Sequence, residues 1–234
     1  FACKRFGVRN VAAVGDRGML KSAQIEALGT EGFQYLTAIT KPQIEALIKR
    51  GVFQYELFDE KVCEVSDGGV RYVLRRNPAR AAELEAGRLD KLQALNKRID
   101  GKTTYLAEHP RASVPIAHDK LETYAKRLRI DGWVKVVVEG RAFKTAVDQD
   151  ALAAAARLDG CYVLKSDLTP ERADTDVLHS RYKDLAHVER AFRTMKTGHL
   201  ELRPVYVRTA AHTRAHVFTV MLAYRLRCEL ARAW

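Results

Sequence analysis

Two short apolar runs alternate with two helical segments before Gly51, and this alternation restricts the fold more than any other feature. Residues 11–14 and 33–39 are rich in β-branched and aromatic side chains, as buried strands are. Helices are predicted at about residues 20–28, closed by Gly29, and from Pro42 through Ile48. A β-α-β-α order is typical of a mostly parallel sheet, so we expect an α/β protein.

The pattern changes after about residue 53. Short strands are predicted at residues 55–58, 61–65 and 70–75, and Asp67-Gly68-Gly69 between the last two is a hairpin signal. Predicted helices at 79–99, 119–128 and 151–158 then alternate with predicted strands at 133–138, 141–147 and 161–165. We therefore divide the chain into the first part of an α/β core (1–52), a β-rich and helical insertion (53–168) and the C-terminal helices of the core (169–234).

Charge, hydropathy and cysteine content indicate the kind of partner and the cellular location of the protein. The 40 Lys and Arg residues outnumber the 29 Asp and Glu residues, and a net charge of +11 fits a polyanionic partner. The most apolar segment, residues 217–230, is broken by Arg225, Arg227 and Glu229, so no membrane span is expected. The four cysteines form no C-x-x-C pair, which favours buried reduced thiols and a cytoplasmic location.

The predicted helix at residues 176–197 places an aromatic hydroxyl, a carboxylate and two cations on one face. On a helical wheel Tyr182, Glu189, Arg193 and Lys196 fall within about 60° of one another. A neighbouring apolar stripe is expected to pack on a sheet, and it consists of Val188, Phe192 and Met195. A carboxylate between an aromatic hydroxyl and two cations suits a metal ligand beside a phosphate backbone. The alternative is an ordinary surface helix with an ion pair between Glu189 and Arg193.

The same residues carry a family resemblance. Tyr182, Glu189 and Lys196 match the Y-x2-R-x3-E-x6-K signature of the DDE transposases of the insertion sequence 4 family, and the similarity extends over about residues 150–228. The AVGDRGM segment around Asp16 also resembles that family. Leu185 stands where the signature has arginine, so Arg193 and Arg181 are the candidates to replace its phosphate contact.

The resemblance implies a fold and a site. It implies an RNase H-like core, a mixed sheet flanked by helices, in which two aspartates and a glutamate hold two Mg²⁺ (or Mn²⁺) ions that cut and join DNA. Asp16 matches the second aspartate and Glu189 the glutamate, while Tyr182 and Lys196 match residues that hold the DNA strand. The first aspartate and the first core strands are expected upstream of this sequence. This chain alone is therefore expected to be inactive, with an exposed sheet edge at residues 11–14.

The expected role is DNA transposition for a bacterial mobile element. Its partners would be transposon-end and target DNA in a homodimer, acting in the cytoplasm at the nucleoid. Two alternatives remain: a non-catalytic DNA-binding transposase remnant or inhibitor, and an RNase H-like nuclease outside transposition. Trp133 lies in the predicted insertion, where it could stack on a displaced base, but the apolar GWVKVVV context favours a core position.

Overall fold

The computed structural model describes residues 11–197, 200, 202–203 and 205–234, so Cys3 lies outside the described residues. The strands are β1 (Ala12–Gly15), β2 (Gln34–Ala38), β3 (Cys63–Asp67), β4 (Val70–Arg76), β5 (Val134–Glu139), β6 (Ala142–Val147) and β7 (Cys161–Ser166). The helices are α1 (Ser22–Thr30), α2 (Lys41–Lys49), α3 (Pro78–Glu108), α4 (Val114–Leu128), α5 (Gln149–Ala156), α6 (Thr175–Lys183), α7 (Leu185–Lys196) and α8 (Ala210–Ala233).

The expected α/β class is confirmed: the chain has a mixed sheet flanked by helices. This sheet has five strands in the order β1-β2-β7-β4-β3 among the described residues, and β5 and β6 form a separate two-stranded sheet. Strands β3, β4 and β7 fall in the range that we assigned to the insertion, yet they belong to the same sheet as β1 and β2. By its internal contacts the chain divides into two compact units. The first comprises Phe1–Ala38, Gly69–Arg71 and Lys165–Trp234, and the second Ile39–Gly68 and Tyr72–Leu164.

Strand direction in the first part of the sheet follows from its hydrogen bonds. β1 and β2 are parallel, with Ala12 opposite Gln34 and Gly15 opposite Thr37. Opposite β2, the Ile39 amide donates to the Val163 carbonyl at 3.0 Å, and the Tyr35 amide donates to the Asp167 carboxylate at 2.8 Å. The partner number rises as the β2 number falls, so β7 runs antiparallel to β2. The carboxyl ends of β1 and β7 therefore lie at opposite ends of the sheet.

The C-terminal part of the first unit differs from the prediction. We expected one helix at residues 176–197, whereas α6 ends at Lys183 and α7 begins at Leu185, with a turn at Asp184 between them. The apolar stripe predicted on this segment is buried only at Met195, which is 5% exposed. Val188 and Phe192 are about half exposed, so the prediction that they pack on the sheet is wrong. Helix α7 packs against α6 and α8.

The second unit has its own apolar core. Leu95 and Ile99 of α3, Leu121 and Ala125 of α4, and Phe143 of β6 belong to one buried cluster. The starts of α3 and α4 follow from local signals, since the Asn77 and Ser113 side chains accept hydrogen bonds from the first-turn amides of these helices. β5 and β6 pair antiparallel, with Val134 opposite Val147 and Glu139 opposite Ala142.

The β3–β4 hairpin and the buried position of Trp133 agree with the sequence prediction, whereas residues 55–58 do not. The hairpin between β3 and β4 is confirmed, since Gly68 and Gly69 have φ of 57° and 80°, the left-handed values that glycine accepts most easily. Trp133 is 7% exposed and belongs to the buried cluster, so its predicted core position is confirmed. The strand predicted at 55–58 is wrong, because Tyr55–Leu57 forms a single 3₁₀ turn.

The three cysteines that the structure describes, Cys63, Cys161 and Cys228, carry free thiols, but they are partly buried and not fully buried as expected. In the described part of the chain, no helix combines the length and the apolar character that crossing a bilayer requires.

Candidate active site

Asp16 occupies the first position after β1, where the chain leaves the sheet. The Asp16 carbonyl accepts hydrogen bonds from the Met19 amide at 2.8 Å and the Leu20 amide at 3.4 Å, which closes a turn directly after the strand. A Cβ atom on Gly15 would lie 2.8 Å from the Leu20 side chain, so the glycine allows Leu20 to pack on the end of β1. The turn leaves the Asp16 side chain exposed at the carboxyl end of β1.

One oxygen of the Asp16 carboxylate is held in place. Its Oδ1 atom accepts hydrogen bonds from the Arg17 amide at 2.7 Å and from the Tyr182 hydroxyl at 3.2 Å. Within the part of the chain that the structure describes, no partner contacts Oδ2. The carboxylate therefore has a fixed orientation and one oxygen available to a ligand.

Tyr182 reaches Asp16 because helix α6 packs against both β1 and β2. Burial raises the pKa of Tyr182 to about 12, together with the negative charge of Asp16 and the hydrogen bond to it, while Arg17 opposes the shift. The charge of Glu189 also raises this pKa. Two carboxylates from distant parts of the sequence thus both act on one phenol hydroxyl.

Glu189 lies on α7 and is exposed. The ion pair with Arg193 that we considered as the alternative is not formed, and in the described residues Glu189 has no hydrogen-bond or ion-pair partner. An unpaired carboxylate whose charge acts on Tyr182 does not fit an ordinary ion-paired surface helix. The pattern instead fits a site that is negatively charged and open to solvent.

The predicted cations differ in their surroundings. Arg181 forms an ion pair with Asp184 at 3.2 Å, so its guanidinium is engaged on its own segment. Arg193 is exposed and without an acidic partner among the described residues, and the Lys196 ammonium lies 5.8 Å from the centre of the Phe192 ring. Arg193 is therefore the better candidate of the two to replace the signature arginine.

Leu185, which stands where the signature has arginine, lies at the start of α7 in apolar surroundings. It lines an apolar cavity of about 490 Å³ in the first unit, together with Val14, Leu36, Leu178 and Val188. The Leu185 side chain is partly buried.

The remaining acidic residues near strand ends have structural roles. Asp167 accepts a hydrogen bond from the Tyr35 amide, at the sheet end opposite to Asp16. Asp174 caps α6 by accepting a hydrogen bond from the Val177 amide at 2.7 Å. Asp159 is buried in the second unit, where it pairs with Lys41 and Arg88.

Sequence reasoning missed Arg17. Its positive charge opposes the rise in the pKa of Tyr182. Its position directly after Asp16 in the turn was the available signal.

No group of three or more His, Cys, Asp or Glu side chains in the described residues is placed to hold a metal ion. Asp16 and Glu189 are the two groups that could serve as ligands at this site. Comparisons with protein-family models, with curated proteins and with solved structures find no match to this chain.

Proposed function

We propose that this chain is the catalytic part of a DDE transposase of the insertion sequence 4 family, built on an RNase H-like core. The observation that carries the proposal is the hydrogen bond that joins Tyr182, which precedes Glu189 in the family signature, to Asp16 directly after β1. The parallel β1–β2 pair, with an acidic residue directly after β1, supports the same assignment. The proposed reaction is cleavage and joining of phosphodiester bonds at the ends of a mobile element.

The donor set fits a hard divalent cation. Carboxylate oxygens are the ligands that Mg²⁺ and Mn²⁺ prefer, and Asp16 Oδ2 and the Glu189 carboxylate are the exposed oxygens at this site. When bound there, the ions would activate the attacking oxygen and stabilise the leaving one. Arg193 and Lys196, on the same helix as Glu189, supply positive charge for the DNA phosphates.

The resemblance implies that Tyr182 holds the DNA strand, and its contact with Asp16 gives it a second role. Because its hydroxyl donates to Asp16 Oδ1, we assign it as a positioning residue that orients this carboxylate. With a pKa of about 12 the hydroxyl keeps its proton at neutral pH, and the hydrogen bond therefore persists there. A neutral phenol also adds no negative charge to a site that must accept DNA.

The test is nicking of a plasmid that carries the DNA flanking the gene, in Mg²⁺ or Mn²⁺, by the protein expressed from its complete reading frame. Asp16→Ala and Glu189→Ala should each abolish nicking while leaving DNA binding intact. Glu26→Ala, which removes an exposed carboxylate of α1 in the same unit, is the matched control and should retain activity.

Retention of nicking in either Asp16→Ala or Glu189→Ala would remove that residue from the proposed site. DNA binding without nicking, in the unmodified protein as in the variants, would favour the non-catalytic DNA-binding alternative. Metal-dependent nicking without preference for the flanking DNA would favour an RNase H-like nuclease.

A further inference from the structure

The second unit contains a basic groove between α3 and α4, here called the α3–α4 groove. It has a volume of about 450 Å³ and is open to solvent. Its lining residues are Arg98, Ile116, Asp119, Lys120, Thr123, Tyr124 and Arg127. The lining therefore contains three cations and one carboxylate, that of Asp119.

Tyr124 gathers two of these cations. The Arg98 guanidinium lies 4.6 Å from the centre of the Tyr124 ring, and that of Arg127 lies 4.8 Å from it. Both contacts are within the range of cation–π attraction, which restrains side chains that would otherwise be mobile. The ring thus holds two positive charges close to each other.

These cations form no ion pair in the described residues, and the single carboxylate of Asp119 leaves the groove with an excess of positive charge. In the described residues Arg98, Lys120 and Arg127 have no ion-pair partner, and all three side chains are exposed. Elsewhere in this unit comparable cations are paired, as Arg80 is with Glu83 and Lys144 with Glu139. Like charges held together without ion-pair partners repel each other, and an anion in the groove would reduce that repulsion.

The arrangement is extended, which favours a linear polyanion over a small anion. On α3, Lys91, Arg98 and Lys102 fall within about 40° on a helical wheel and span about 16 Å of helix axis. On α4, Lys120 and Arg127 share a face and are about 10 Å apart along the axis. A single phosphate would meet only part of such a row, whereas the backbone of a nucleic acid presents charge along its whole length.

We propose that the α3–α4 groove binds the phosphodiester backbone of DNA. This inference goes beyond the proposed function, because every residue of the groove belongs to the second unit and none belongs to the site of Asp16 and Glu189. Backbone contacts by guanidinium and ammonium groups give affinity and position without reading the base sequence. The Tyr124 stack presets the two arginines for this contact.

The experiment measures binding of a fluorescent DNA duplex of arbitrary sequence to the whole 234-residue chain by anisotropy, at a series of salt concentrations. The test variant is Arg98→Gln with Arg127→Gln. The control is Arg80→Gln with Lys144→Gln, which removes two exposed cations of the same unit that are already paired. Each double variant lowers the net charge from +11 by two, to +9.

The test variant should weaken binding about tenfold and reduce the slope of log K against log salt by about 1.8, near 0.9 for each lost phosphate contact. The control should leave both quantities close to those of the unmodified chain. Lys120→Gln, which leaves the Tyr124 stack in place, should reduce the slope by about 0.9. Far-ultraviolet circular dichroism checks that each variant is folded.

Equal affinity and equal slope in the test and control variants would overturn the proposal. The proposal would also be overturned if polyglutamate displaced the labelled duplex as effectively as unlabelled DNA of the same charge. The groove would then accept any polyanion. The outcome is independent of the active-site proposal, since Asp16→Ala with Glu189→Ala removes nicking but leaves the α3–α4 groove unchanged.

Discussion

The Tyr182 hydroxyl donates a hydrogen bond to Asp16, so the titration of Tyr182 reports on this candidate catalytic carboxylate. Burial and the Asp16 charge raise the pKa of Tyr182 to about 12. We predict that a tyrosinate absorbance titration of the chain, minus that of Tyr182→Phe, shows one transition near pH 12. In an Asp16→Asn background this transition should move to lower pH, since the neighbouring negative charge is gone. An unchanged midpoint would contradict the contact between these residues.

The raised pKa of Tyr182 makes the free energy of unfolding depend on pH. A tyrosine whose pKa is higher in the folded than in the unfolded state binds its proton more tightly when folded. Its contribution to the free energy of unfolding is present below the unfolded value of 10.0 and is lost as the pH rises through about 12. At neutral pH the contribution is complete, so the hydrogen bond to Asp16 does not vary across the physiological range.

Asp159 is a structural residue by contrast, because it is buried between two cations. Its side chain is 6% exposed, its Oδ1 atom lies 3.3 Å from the Lys41 ammonium, and the Arg88 guanidinium contacts Oδ2 outside hydrogen-bonding geometry. We predict that Asp159→Ala lowers the free energy of unfolding by about 3 kcal/mol, since it leaves the mostly buried Arg88 without a counter-charge.

Urea unfolding measures this loss, and Glu83→Ala is the matched control. Glu83 pairs with Arg80 at 2.6 Å, but both side chains are exposed, so breaking that pair should cost less than about 1 kcal/mol. Equal losses for the two variants would show that burial does not strengthen the Asp159 ion pairs.

At the scale of elements, Gly160 connects the start of β7 to the start of α3. Its φ is +74°, and a Cβ atom there would lie 2.3 Å from the Asn77 carbonyl oxygen. The Asn77 amide donates to the Gly160 carbonyl at 2.9 Å, and Asn77 also caps α3. The close approach of two backbone segments therefore requires glycine at this position.

We predict that Gly160→Ala destabilises the chain by about 3 kcal/mol or more, because both the left-handed backbone and the clash oppose a side chain. Gly101→Ala is the opposite case. Gly101 lies inside α3 with no neighbour for an added Cβ, so alanine there should stabilise by about 0.5–1 kcal/mol. Thermal denaturation should show a lower melting temperature for Gly160→Ala and a higher one for Gly101→Ala. A lower melting temperature for Gly101→Ala would contradict the second prediction.

The division between α6 and α7 shows where an element prediction fails. The wheel that grouped Tyr182 with Glu189 assumed a continuous helix, but the turn at Asp184 separates them. No proline or glycine marks this break, and Asp184 keeps a helical φ of −60°. Helix α6 packs on β1 and β2 while α7 packs on α8, so the break depends on tertiary contacts that a local pattern does not contain.

Across the whole molecule, stability should be unevenly distributed. The cluster formed by α3, α4, β5 and β6 contains fully buried side chains such as Leu95, Leu121 and Ala125. Helix α8 buries only Val220, and its Phe218 is 68% exposed. Amide exchange protection follows burial of apolar contacts.

We predict that amides of α3 and α4 exchange at the slowest rates and those of α8 exchange orders of magnitude faster. Hydrogen exchange with mass spectrometry, read at peptide level in the monomeric chain, checks this. Equal protection of α8 and α4 would mean that the exposed face of α8 is covered in solution.

Local sequence signals were sufficient for most element positions and for the α/β class. The glycines at the β3–β4 turn and the strand-like apolar runs act over a few residues. The Ser113 cap was overlooked, and α4 begins at Val114 and not at 119 as predicted. Asp16 and Glu189 could also be selected from the sequence, but by their resemblance to a family signature. The local pattern alone left an ordinary surface ion pair open.

Tertiary structure decided which side chains share a site. Asp16 lies at the carboxyl end of β1 and Asp167 at the opposite end of the sheet, because β7 is antiparallel to β2. The contact of Tyr182 with Asp16, and the stacking of Arg98 of α3 on Tyr124 of α4, join residues from separate elements. Strand order and helix packing are set by burying whole apolar faces against one another, so such contacts depend on the complete fold and not on the few residues around each partner.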